Sequence, residues 1–303
     1  MSRDTHFSPE DTLLRIAARD LLRRRLGIDV RRVHVRPGKG AEATSNFDEQ
    51  LVIEQHFLEH PPASQFFVDI GAANGEVSSN TLFLLRQGWG GLSIEMDGTD
   101  FFHLARICAE HSGARLARCQ VTPHNIVGLM TAMGVPERPG LVSLDIDGYD
   151  HEVLDSLLGA FRPDLVVTEI NEKVPTPVRF HVRYSESYRW ESDHFYGHSI
   201  ASAADLAARH DYVVVALEYN NAFLAPAESN ARGLDAETAY KQGYVDRPDR
   251  LRKLPWNRDM EHLLALGPNE IVDDLTTRFA HRAGEFSVSA RPPATQPPPR
   301  AND

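Results

Sequence analysis

The sequence predicts an α/β fold with a doubly wound, mostly parallel sheet. Three observations predict it. Short apolar runs rich in β-branched and aromatic residues recur from Phe66 onward. The stretches between the first five runs are each long enough for a crossover helix. A carboxylate-bearing glycine turn, Asp69 to Gly75, follows the first run, at the strand end where open α/β sheets bind ligands.

The candidate strands are 66–70, 91–95, 115–120, 141–146, 165–170, 212–217 and 222–225. The last two stand close together and read as an antiparallel hairpin at the sheet edge. Upstream lies an N-terminal helical extension, 1–62. Ser8, Pro9 and Asp11 signal a helix start, and Leu13, Leu14, Ala17, Leu21 and Leu22 follow at helical spacing up to Gly27. A second helix is expected over 48–60, stopped by Pro61-Pro62. The core domain is 63–227, with an insert at 171–199 that is too long and aromatic for a plain connection. Residues 228–288 read as an irregular or helical extension, and the Pro-rich 289–303 as a disordered tail.

Of 303 residues, 42% are hydrophobic and 25% charged, with a formal net charge of −11. That balance argues against a nucleic-acid partner and favours a small-molecule substrate. The Arg-rich run Arg23, Arg24, Arg25, Arg31 and Arg32 reads as the solvated end of a helix. Two cysteines, Cys108 and Cys119, match no zinc or redox spacing and suit a reducing cytoplasm. The charged N-terminus does not read as a signal peptide, and no apolar run approaches the roughly 18 residues of a membrane span. A homo-oligomer is compatible with the leading helix, which can cover a site or pair with a second copy.

The turn Asp69-Ile70-Gly71-Ala72-Ala73-Asn74-Gly75 is the most informative stretch, with a helix expected from about Ser78. Gly71 and Gly75 let the backbone turn sharply and approach a ligand closely. The dinucleotide fingerprint needs a second glycine where Ala73 stands, and Asp69 would repel a pyrophosphate. A carboxylate suits the cationic, amine-bearing end of S-adenosylmethionine. Glu95 ends the next strand, where an acid can accept both ribose hydroxyls. Gln120 and Val121, after the third strand, are expected beside the adenine. The plain alternatives are a ligand-free turn and a surface acid.

These residues carry a resemblance. Val68 to Ala72, Ser79-Asn80-Thr81, Gly88 to Glu95, Val121-Thr122-Pro123 with Asn125, and Ser143 to Asp150 resemble FkbM-like methyltransferases over about 47–225. The resemblance implies a Rossmann-like fold, S-adenosylmethionine as cofactor, and O-methylation of sugars or natural products. It implies cofactor contacts from Asp69, Gly71, Ala72, Asn74, Gly75, Ser79, Asn80, Thr81, Glu95, Gln120, Val121 and Asp145. The elaborate 170–199 segment departs from the family's plain Glu-Tyr-Asn version, so substrate choice does not carry over. Asn221 resembles the family's closing strand, Asn-Ala-Phe, and is expected to hold a loop.

The stretch carrying Asp145, Asp147 and Asp150 ends the fourth strand; Glu169 and Asn171 end the fifth. Adjacent parallel strands place such ends side by side. Asp145, Glu169 and Asn171 offer hard oxygen ligands of the kind Mg²⁺ prefers, and the pattern also looks like that of metal-dependent sugar O-methyltransferases. Such a metal would bind a substrate hydroxyl and lower its pKa. Asp147 or His194 is then the general base, with His181, Tyr196 and His198 toward substrate. The plain alternative has Asp145 or Asp147 capping a helix, Glu169 paired with an arginine, and the histidines hydrogen-bonded in the core. A methyltransferase acting on nitrogen or carbon, and a non-catalytic nucleotide-binding scaffold, are the competing functions.

Overall fold

A computed structural model describes residues 44–291. The expected helix over 8–26, the arginine-rich run and most of the Pro-rich tail lie outside the described residues.

The first described helix, α1 (Glu49–Glu59), is the one expected over 48–60. The chain then alternates: β1 (Phe66–Ile70), α2 (Leu82–Arg86), β2 (Gly90–Glu95), α3 (Gly98–Cys108), β3 (Ala114–Arg118), α4 (Ile126–Ala132), β4 (Leu141–Leu144), α5 (Asp150–Leu158) and β5 (Leu165–Glu169). Next come β6 (Arg179–Val182), α6 (Ile200–Arg209), β7 (Tyr212–Glu218) and β8 (Asn221–Pro226). The seven-stranded sheet runs in the order β3-β2-β1-β4-β5-β8-β7. β1 to β5 pair in parallel, and β8 lies antiparallel to both β5 and β7. The fold is thus the predicted Rossmann-like, doubly wound sheet with its antiparallel hairpin.

Alternation along each strand explains the two cores. Val68, Ile70, Val142, Leu144 and Val166 pack on one face; Phe67, Leu141, Leu165 and Val167 pack on the other. Both faces are covered by helices, which is why the strands are apolar nearly throughout. The strand order turns back between β1 and β4, so the crevice opens where β1, β2 and β4 end.

Two expectations need correction. The helix after the glycine turn starts at Leu82, not near Ser78. Ser78 has φ +61°, outside the helical region, and the Ser79 hydroxyl accepts the Leu82 amide 3.0 Å away, fixing the later start. The start of the Pro-rich tail shifts as well. Within the insert, β6 pairs antiparallel with β9 (Phe286–Ser289), so 289 belongs to a strand rather than the tail. Phe180, Phe195, Phe279 and Phe286 gather in one aromatic cluster with ring centroids 5.1–6.2 Å apart. The segment beyond 228 forms α7 (Ala236–Tyr240), α8 (Arg250–Lys253) and α9 (Pro268–Arg278), with a 3₁₀ stretch over Pro255–Ala265. Ile271 and Leu275 of α9 join the same core as the sheet. Among the described residues, no helix is long and apolar enough to cross a membrane.

Candidate active site

The turn after β1 is built from backbone. The amides of Gly71 and Ala72 both donate to the Ile94 carbonyl at 3.0 Å. Gly71 (φ +83°), Ala73 (φ +46°) and Gly75 (φ +76°) lie in the left-handed region. Asn74 accepts the amides of Glu76 and Val77 at 3.1 and 3.0 Å, so it holds the turn from within. Glu95 is 9% exposed and accepts the amides of Ala73 (2.9 Å) and Asp97 (2.6 Å). Burial raises its pKa.

This turn borders a cavity of about 420 Å³. Gly71, Glu95, Gln120, Val121, Asp145 and Asp147, all expected at a site, line it, together with Ala73, which was not expected there. Tyr149 was not anticipated: its hydroxyl donates to the Val121 carbonyl at 2.9 Å and accepts from Gln120 Nε2 at 3.1 Å. Nor were Tyr188, Arg189 and Trp190 of the insert, which form a wall. The aromatic density of the insert was the available signal, but nothing local said which of its rings would face inward.

Other expected cofactor residues stand behind the cavity. Asp69 shares a sheet face with Phe67, so it points away from Val68 and Ile70 and toward α2. There its carboxylate accepts the Thr81 hydroxyl at 2.6 Å. It is 7% exposed, and burial pushes its pKa up to about 6. Ser79 caps α2, and Asn80 donates to the Ser143 hydroxyl at 3.3 Å. Ala72 and Gly75 are buried in the turn and do not border the cavity.

The ends of β4 and β5 bring Asp145, Asp147 and Glu169 together, with one carboxylate oxygen from each within 4.8 Å of the others. Glu169 is 8% exposed; its Oε1 accepts Asn220 Nδ2 at 2.8 Å, and its Oε2 is buried without a hydrogen-bond partner. Asp145 sits deep among protein atoms, yet water reaches it through the cavity. Burial raises both pKa values; repulsion from Asp145, Asp147, Asp150 and Glu172 adds to it at Glu169, which is pushed well above the carboxylate range, whereas at Asp145 a hydrogen bond with Glu169 opposes the rise. The loop is held by Asp150, which accepts the amides of Ile146 and Gly148, both at 2.9 Å, and by Asp145, whose carboxylate accepts the Asp147 amide. Glu169 meets an asparagine, not the arginine of the plain alternative.

Asn171 is 1% exposed, and its Nδ2 donates to the carbonyls of His194 (2.8 Å) and Tyr196 (3.1 Å), tying β5 to the insert. Its Oδ1 is buried without a hydrogen-bond partner. His194 pairs with Asp259 at 3.0 Å and does not line the cavity. His181 stacks on His151 (centroids 4.3 Å, 12°), and His198 meets His151 edge-on at 5.6 Å. Burial depresses these imidazoles, to about 4 for His181 and about 3 for His198. Tyr196 is buried against Lys173 and Glu172, at 2.5 and 3.4 Å from its hydroxyl. None of His181, Tyr196 and His198 lines the cavity. Asn221 donates to the buried Glu49 carboxylate at 3.1 Å, the structural role expected for it.

No family model matches the sequence, and no curated protein matches it. Among solved structures, the chain is similar to an O-methyltransferase from Bacillus cereus in complex with SAH (12% identity, 74% of this chain, 92% of that one, TM-score 0.41). It is also similar to magnesium protoporphyrin IX methyltransferase from Synechocystis with bound SAM (9% identity, 73% and 97%, TM-score 0.38). A third is an S-adenosylmethionine-dependent methyltransferase from Clostridium acetobutylicum (8% identity, 71% and 99%, TM-score 0.39).

Proposed function

We propose that this chain is an S-adenosylmethionine-dependent methyltransferase that acts on a hydroxyl of a small molecule, assisted by a divalent cation. One observation carries the reading. A left-handed glycine turn, a carboxylate at the next strand end, and Asp145 and Asp147 of a three-carboxylate cluster all border one cavity, with Glu169 behind them.

The residues fit the cofactor. The cavity's 420 Å³ falls within the roughly 300–1,000 Å³ of ligand pockets. S-adenosylmethionine, when bound, supplies a methyl group on a positively charged sulfur. Gly71 and Ala73 would line its path with backbone, Glu95 would accept ribose hydroxyls, and Gln120 and Val121 would flank the adenine. Asp145, not Asp69, is the carboxylate at the β1–β4 crevice that borders the cavity.

They fit a hard cation as well. Three crowded carboxylates, one with a buried unpartnered oxygen, are an oxygen donor set that a divalent ion neutralises. A divalent cation, when bound, supplies Lewis acidity toward a substrate oxygen. Asp145, Asp147 and Glu169 would hold it, with the Asn171 amide oxygen as a further donor. Asp147 also borders the cavity, and each carboxylate has two oxygens. It can therefore ligate through one and accept the hydroxyl proton at the other. The enclosing walls hold the nucleophile in line with the methyl group.

The test is calorimetry of the pure protein with S-adenosylhomocysteine and NAD, then methyl transfer across hydroxylated and amine probes, with and without chelator. Binding of S-adenosylhomocysteine and chelator-sensitive methylation of hydroxyls are expected. Affinity for NAD alone would discard the reading, and full activity in chelator would remove the cation from it.

A further inference from the structure

The loop that carries Asp147 is gripped from two sides. From within, the Asp150 carboxylate accepts the amides of Ile146 and Gly148. From outside comes the insert. The Tyr188 hydroxyl, on a side chain only 6% exposed, lies 2.8 Å from the Asp147 carbonyl and 2.8 Å from that of Phe195. The Tyr188 ring abuts Gly148: a Cβ there would stand 2.7 Å from a ring carbon. Beside it, the Gly197 amide donates to the Gly148 carbonyl at 2.7 Å.

Asp147 needs that grip. Its φ is +51°, a left-handed conformation that costs an L-residue energy unless its surroundings enforce it. Its carboxylate is nevertheless held within 4.8 Å of Asp145 and Glu169 oxygens. The backbone angle at 147 decides where that carboxylate points. Burial pushes the Tyr188 pKa up, so the phenol remains a donor at every ordinary pH.

We infer that Tyr188 is a positioning residue: through its hydrogen bond to the Asp147 carbonyl, the insert fixes Asp147 in the left-handed conformation that completes the cation site. The inference rests on the cation reading of the acidic cluster. Without the phenolic hydroxyl, the half-buried Asp147 carbonyl loses that hydrogen bond and the strained residue can relax toward ordinary φ. The carboxylate then swings out of the triad. The insert would thus serve the chemistry without placing a side chain on the cation.

The experiment measures Mn²⁺ binding to the full chain by calorimetry, for wild type, Tyr188→Phe, Asp147→Asn and the double variant. Groups that orient metal ligands are worth about 10- to 100-fold in affinity, so Tyr188→Phe should weaken Mn²⁺ binding by that range while unfolding stays cooperative. In the Asp147→Asn background the same change should add nothing, because Tyr188 acts through Asp147. A general loss of structure would weaken binding equally in both backgrounds and would overturn the inference. So would Tyr188→Phe binding within about twofold of wild type, with the cation reading left standing. If the wild type binds no Mn²⁺, both readings fall together. Should Tyr188→Phe not fold, Gly148→Ala displaces the same ring by one methyl and takes its place in the cycle.

Discussion

Gly71 and Asp145 meet backbone to backbone. A Cβ at position 71 would stand 1.7 Å from the Asp145 carbonyl oxygen, a separation no real side chain tolerates. The glycine turn after β1 and the acidic loop after β4 are therefore packed against each other with no room for a methyl. Gly71→Ala adds that clash to an unfavourable φ of +83°. It should lower stability by at least about 2 kcal/mol and remove S-adenosylhomocysteine binding. Thermal unfolding with and without the ligand checks both.

Glu95 holds the amides of Ala73 and Asp97 and borders the cavity. Glu95→Gln keeps the shape and one acceptor but loses the charge. A hydrogen bond to a charged group is worth about 1.5–3 kcal/mol, so S-adenosylhomocysteine affinity should fall about ten- to a hundredfold. Calorimetry reads it. Unchanged affinity would place Glu95 in the turn's architecture alone.

Glu169 is crowded by Asp145, Asp147, Asp150 and Glu172. Replacing it with Gln removes the cost of burying an ionisable acid among other carboxylates, so the cation-free protein should melt a few degrees higher. The same change should weaken Mg²⁺ binding by about tenfold or more, since a charged ligand is lost. Melting curves with and without Mg²⁺ should cross over between the two proteins.

Glu49 is 1% exposed, and burial pushes its pKa from 4.5 up to about 7. A carboxyl whose pKa is raised on folding favours the native state fully below pH 4.5. That contribution is lost as pH rises toward 7. The shift corresponds to about 3 kcal/mol. Glu49→Gln cannot ionise. Its stability relative to wild type should therefore improve between about pH 4.5 and pH 7 and stay level above, as denaturant melts across pH will read.

His194 pairs with Asp259 outside the cavity wall. His194→Ala should leave methyl transfer within about twofold, whereas Asp147→Ala should remove most of it, at least about a hundredfold if it is the general base. Equal losses in both would return the base role to the histidine.

The sequence by itself determined the sheet, since strand pattern, crossover spacing and the glycine turn are all local signals. Phe66–Ile70 falls where it was expected, and the other core strands shift by at most two residues at an end. It also determined the residues that touch the cavity through backbone or strand ends: Gly71, Glu95, Gln120 and Asp145. Only the tertiary structure decided which side chains face inward from the insert. Tyr188, Arg189 and Trp190 reach the cavity, while His181, His194 and His198 do not. It also decided that Asp69 points toward α2, because the parity of strand β1 puts it on the Phe67 face. The partner of β6 lies far along the chain, at Phe286–Ser289. No local pattern encodes such a pairing; the insert takes its shape from packing against residues that fold onto it from a distance.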